Sequence, residues 1–147
     1  MENKEVEILL VEDGETDIEM TLRSLSESNV CNSVKVARDG REALDMLFPA
    51  DSGLQPLKPS VVFLDLELPK VSGHEILRRM KADEKTRDIP VVIMTSSREK
   101  VDIDRCYELG ANSYVVKPIG FEDYSRVVKE LKLYWLVVNQ PPSQKDQ

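Results

Sequence analysis

Five residues with chemical potential stand where short apolar runs end: Glu12 and Asp13 after ILLV, Asp65 after VVFL, Thr95 after VVIM, and Lys117 after SYVV. Three carboxylates brought together repel and raise one another's pKa unless a cation joins them. A hard divalent ion such as Mg2+ suits that set, because it prefers oxygen ligands, keeps several waters and binds through one or two carboxylates plus phosphate oxygens. Lys117 adds a point charge and Thr95 a hydroxyl donor. Such a group fits phosphoryl transfer, where catalysis is mostly positioning and neutralisation of charge on the equatorial oxygens. Asp65, at the centre, has the chemistry of a nucleophile that carries the phosphoryl group.

These side chains act together only if the fold gathers them. VEILLV (Val6 to Val11) is an apolar run bounded by charge and predicts a buried strand. In TDIEMTLRSLSES, Ile18, Leu22 and Leu25 fall at helical spacing, and Thr16 with Glu19 predicts a capping box. SVKVA (Ser33 to Ala37) alternates as a strand, and Asp39 with Glu42 predicts the cap of a helix carrying Ala43, Leu44 and Leu47. PADSGLQPLKP (Pro49 to Pro59) holds three prolines and a glycine and predicts an exposed loop. The strand VVFLD follows, then Ser72 and Glu75 as a second capping box before Ile76, Leu77 and Met80. PVVIMT predicts a strand, Glu99 to Leu109 a helix stopped by Gly110, and SYVV a strand. The last helix is predicted from Phe121 to about Val138, with Phe121, Tyr124, Val127, Val128, Leu131, Tyr134, Trp135 and Val138 along one face.

Alternating strands and helices, with strands that are almost continuously apolar, predict an α/β fold: a doubly wound, five-stranded parallel sheet with five helices and an extended last helix. In such sheets ligands bind at the carboxyl ends of the strands beside a topological switch point. All five chemically active residues lie at those ends.

A chain of 147 residues with 41% hydrophobic residues fits one domain with a single core, expected over residues 1–139, with 140–147 a short disordered tail. The net charge of −7 repels polyanions, which argues against nucleic acid and anionic membrane surfaces as partners. No run approaches the roughly 18 apolar residues of a membrane span. Cys31 and Cys106 stand apart without metal-ligand spacing, which fits free thiols and a cytoplasmic location.

LLVED, FLDLELPKVSG, IMTSS and YVVKP, in this order, resemble the receiver domains of two-component response regulators, a flavodoxin-like fold. The resemblance runs from about Val6 to Val138. It implies Asp65 as phosphoacceptor, Glu12 and Asp13 as the acidic pair with Asp13 the more direct Mg2+ ligand, and the backbone carbonyl of Glu67 as a further ligand. Thr95 would bond a phosphoryl oxygen, Lys117 would pair with it, and Tyr114 would be the aromatic switch. A cis Lys117–Pro118 bond is also implied. The phosphoryl donor would be a sensor histidine kinase, and the protein would catalyse only its own phosphotransfer and dephosphorylation. LKLYWLVVNQPP, the proline-rich loop and VDIDRCYELGANSYVVK are similar to the small regulators that partner bacterial phytochromes. That implies signalling through a changed protein-interaction face, and a homodimer through the fourth helix, fifth strand and fifth helix.

Gly14 and Glu67 depart from the commonest family pattern, and Glu67 brings an extra carboxylate near the site. Tyr134, Trp135 and Val138 are interface candidates, since the last helix outruns what one small sheet can cover. His74, the only histidine, shows no catalytic partner in the sequence. Two rival functions fit the same residues: a receiver-like interaction module that is never phosphorylated, and a phosphatase of the haloacid dehalogenase type, whose nucleophilic aspartate also ends a parallel strand. For the second, the chain lacks room for a cap domain.

Overall fold

The computed structural model describes residues 6–27, 33–51 and 53–143. Cys31 and the last four residues of the expected tail lie outside the described residues. The elements run β1 (Ile8–Val11), α1 (Glu15–Ser26), β2 (Val34–Ala37), α2 (Gly40–Leu47), β3 (Val61–Leu64), α3 (Gly73–Ala82), β4 (Val91–Thr95), α4 (Lys100–Glu108), β5 (Ser113–Val116) and α5 (Phe121–Leu133). A π-helical turn, Tyr134–Val138, continues α5, so the last helix is as long as its sequence predicts.

All strand pairs are parallel, in the order β2-β1-β3-β4-β5. The chain leaves β1 for one edge and returns past it to β3, so the switch point lies between β1 and β3. Period-two alternation along the strands then builds two cores. Leu9, Val11, Val62, Leu64, Val91 and Ile93 pack against Leu44, Leu47, Ile76, Leu77, Met80 and Cys106 on one face. Ile8, Leu10, Val61, Phe63, Val92 and Met94 meet Ile18, Leu25, Tyr124 and Val128 on the other. Each such aliphatic or aromatic side chain, fully buried, contributes about 1.5–3 kcal/mol.

Two predicted caps form. The Asp39 carboxylate accepts the Glu42 backbone N–H at 2.8 Å, and Ser72 Oγ accepts that of Glu75 at 3.2 Å. The Thr16–Glu19 box does not form: α1 already begins at Glu15, with Gly14 as its N-cap. Starting there puts Glu15 and Asp17 in the first turn, where the helix dipole favours negative charge. Gly110, at φ +105°, ends α4 as predicted. No peptide bond between described residues is cis, so Lys117–Pro118 is trans, contrary to the resemblance; trans is the form an X–Pro bond prefers by about 0.5–1 kcal/mol.

Candidate phosphoryl-transfer site

Strand register fixes where the site residues emerge. Val11 pairs with Leu64, so Glu12 and Asp65, the next residues of β1 and β3, leave the sheet side by side. Thr95 pairs with Val116, which sets Lys117 one step beyond it. The β3–α3 loop is then drawn close under the site. A Cβ on Gly73 would lie 2.2 Å from the Asp65 carbonyl oxygen, so only glycine lets α3 start there, and its N–H donates to Leu66 at 2.9 Å.

The carboxylates of Glu12, Asp13 and Asp65 each offer an oxygen within 4.8 Å of the other two. Glu12 and Asp65 are buried, at 4% and 8% exposure, while Asp13 opens to solvent. Glu67 is exposed and its carboxylate is outside this cluster; its backbone N–H donates to Asp65 Oδ1 at 3.2 Å. Three convergent carboxylate oxygens with one side open are a donor set for a small hard cation that retains water.

Lys117 crosses the cluster. Its ammonium donates to Glu12 Oε1 at 2.7 Å, Asp17 Oδ2 at 2.7 Å and Asp65 Oδ2 at 3.0 Å. Burial alone would favour a neutral amine, but the hydrogen bonds to Asp17 and Glu12 and the charge of Asp65 outweigh it, so Lys117 holds its proton more tightly than an ordinary lysine. Burial pushes the Glu12 carboxyl up to about 7, against the pull of Lys117 and with the Asp65 charge adding to the rise. The remaining Glu12 oxygen accepts the Gly14 N–H at 3.1 Å.

Thr95 is buried at the end of β4, and its hydroxyl stands 3.4 Å from the Ser97 N–H, which donates to it. The Tyr114 hydroxyl donates to the carbonyl of the same Ser97 at 3.0 Å. Thr95 and Tyr114, singled out separately in the sequence, therefore meet one residue of the β4–α4 loop. Ser97 also donates from Oγ to Asp102 at 2.5 Å, tying that loop to the first turn of α4. His74 lies apart; its Nε2 is buried with no hydrogen-bond partner among the described residues, and burial, with Arg105 nearby, keeps the ring's pKa below the usual value.

Sequence reasoning found the four strand-end residues that converge here, and missed Asp17 and Ser97. Nothing in the sequence separated Asp17 from Glu15, the other acid in the first turn of α1, which pairs with Arg38 instead.

Residues 8–129 match the model of the response regulator receiver domain. The chain is 43% identical over 135 residues to the probable methanogenesis regulatory protein FilR2 of Methanothrix harundinacea, covering 92% of this chain and 86% of that protein. It is 33% identical over 129 residues to response regulator Rcp1 of Synechocystis, covering 88% of each. A crystal structure of the Mn2+-bound form of Rcp1 superposes with a TM-score of 0.86 over 92% of this chain and 98% of that one. The phosphorylated cyanobacterial phytochrome response regulator RcpA superposes with a TM-score of 0.88 at 34% identity, over 95% of this chain and 99% of that chain.

Proposed function

The chain belongs to the response regulator receiver family, and from that premise we propose that it accepts a phosphoryl group on Asp65 from the phosphohistidine of a sensor kinase. The observation that carries this reading is the Lys117 ammonium bonded to a buried Asp65 in front of a carboxylate cluster with an open side. In the transfer, an Asp65 carboxylate oxygen bonds to phosphorus as the bond from phosphorus to the donor's ring nitrogen breaks, and the histidine leaves with the electron pair. Hydrolysis by water then returns the Asp65 carboxylate and inorganic phosphate.

Asp13, Asp65, Glu12 and the Glu67 carbonyl would hold Mg2+, which when bound neutralises the carboxylates and the incoming phosphoryl oxygens. Lys117 balances charge on one side of the phosphoryl group, and Thr95 donates its hydroxyl to another oxygen. That hydroxyl now stands at Ser97, so its movement toward a phosphoryl group loosens the loop that Tyr114 also holds. The Tyr114 contact is the switch element in this reading.

Output is a protein contact. Val101, Tyr107 and Phe121 are exposed on α4 and α5, Ile119 between them is 91% exposed, and Tyr134, Val137 and Val138 extend an apolar surface beyond α5. Such surface supports homodimerisation through α4, β5 and α5. Trp135 is half-buried against the second core cluster, so of the three interface candidates Tyr134 and Val138 are the better placed. Similarity to Rcp1 and RcpA supports a phytochrome-type kinase as donor.

Incubation with acetyl phosphate and Mg2+, followed by intact-mass measurement, tests the reading. One phosphoryl group should be gained, and none in Asp65→Asn or in excess chelator. No gain in wild type, or an equal gain in the variant, overturns it.

A further inference from the structure

An ammonium has three N–H donors. Those of Lys117 are all engaged, by Glu12 and Asp65 from the strand ends and by Asp17 from the first turn of α1. Asp17 is not one of the three carboxylates that converge on the cation-binding side. It approaches Lys117 as close as Glu12 does, with nothing else in the described structure donating to its carboxylate.

We infer that Asp17 is a positioning residue for phosphoryl transfer: together with Glu12 it fixes two N–H bonds of Lys117 and so aims the third at the reacting oxygen of Asp65. The inference rests on Asp65 being the phosphoacceptor. A lysine side chain is a flexible stem carrying a point charge, and a single carboxylate leaves it free to pivot. Two anchors on separate elements, the end of β1 and the start of α1, remove that freedom before reaction. Once Asp65 is phosphorylated its Oδ2 is no longer a free anion, and the third N–H is released to a phosphoryl oxygen while the other two stay where they were. Charge stabilisation is then set in advance, with no reorganisation during the step.

The anchor is itself held. The Thr21 hydroxyl donates to the Asp17 carbonyl at 2.8 Å, and the buried Tyr124 hydroxyl of α5 stands 3.0 Å from Thr21 Oγ1. The turn that carries Asp17 is therefore tied through α1 to α5, which makes the position of Lys117 a property of the packed core.

The test compares wild type, Asp17→Ala and Asp17→Asn. Asp17→Ala removes the anchor and should slow phosphorylation by acetyl phosphate on the order of ten-fold, with the half-saturating Mg2+ concentration unchanged. Asp17→Asn keeps an acceptor oxygen and should recover most of the rate. A wild-type rate in Asp17→Ala overturns the inference, as does a loss accompanied by a matching rise in the Mg2+ requirement, which would make Asp17 a metal ligand. An Asp17→Asn variant as slow as Asp17→Ala also overturns it. The anchoring is read separately by 1H–15N NMR of lysine ammonium groups: Lys117 should give a slowly exchanging signal in wild type that Asp17→Ala loses. If wild type takes no phosphoryl group, the proposed function fails and the rate claim with it, while the NMR signal still decides whether Asp17 holds Lys117.

Discussion

At the scale of single residues, the site is a contest between burial and charge. Glu12 loses water and rises to about 7, while Lys117 keeps its proton because three carboxylates face it. The Glu12 shift has a signed consequence for stability. A carboxyl whose folded pKa lies above its unfolded value of 4.5 binds its proton more tightly when folded, so its contribution is full below pH 4.5 and is lost as pH rises to about 7. Without divalent ions the protein should lose on the order of 2 kcal/mol across that window, after allowance for solvent screening. Thermal melts of wild type minus Glu12→Gln should show that slope, and excess Mg2+ should flatten it by favouring the ionised carboxylate. An identical pH slope in both proteins would remove Glu12 as its source. Of the site residues, Glu12, Asp13, Asp65 and Lys117 were legible because each closes an apolar run, which marks a strand end in any parallel sheet. Asp17 was not, because an acid in a first helical turn is already explained by the helix dipole.

At the scale of elements, the seam between α1 and α5 is the part of the fold nearest to the chemistry. The single Thr21 proton goes to the Asp17 carbonyl, so the Tyr124 hydroxyl must donate to Thr21 Oγ1. Both residues are buried, and burial raises the pKa of the Tyr124 phenol, keeping it a donor. Thr21→Val keeps the shape and leaves that O–H without its acceptor, at a cost of about 1–3 kcal/mol. For a chain of this length that lowers Tm by about 2–12 °C, while Thr21→Ser should stay closer to wild type. Equal Tm values for wild type and Thr21→Val would mean that the seam does not depend on this bond. The caps at Asp39 and Ser72 were legible because side-chain and backbone requirements coincide there. Thr16 was misread as a cap because its pattern is local, whereas the start of α1 is set by the chain leaving β1 at Gly14. The π-helical turn has no such local mark: YWLVV reads as ordinary apolar helix, and only the Asn139 N–H reaching Tyr134 at 2.6 Å reveals the wider winding.

At the scale of the whole molecule, the order β2-β1-β3-β4-β5 brings together residues more than a hundred positions apart, such as Glu12 and Lys117. The sheet and its two faces could be read from the sequence because apolar strands alternating with amphipathic helices admit few other solutions. Which surface meets a partner is less legible, since an apolar position on a terminal helix serves core or interface equally well until the packing is known. The proposed dimer makes a direct prediction: Val138→Asp, at a half-exposed position beyond α5, should lower the light-scattering mass from two chains toward one without changing Tm appreciably. An unchanged mass would move the contact elsewhere. The central claim, that Asp65 takes the phosphoryl group, is tested most directly by borohydride trapping, which reduces an aspartyl phosphate to homoserine. After treatment with acetyl phosphate and Mg2+, peptide mapping should find homoserine at position 65 and at no other acidic residue; homoserine at Asp13, or none at all, would contradict the account.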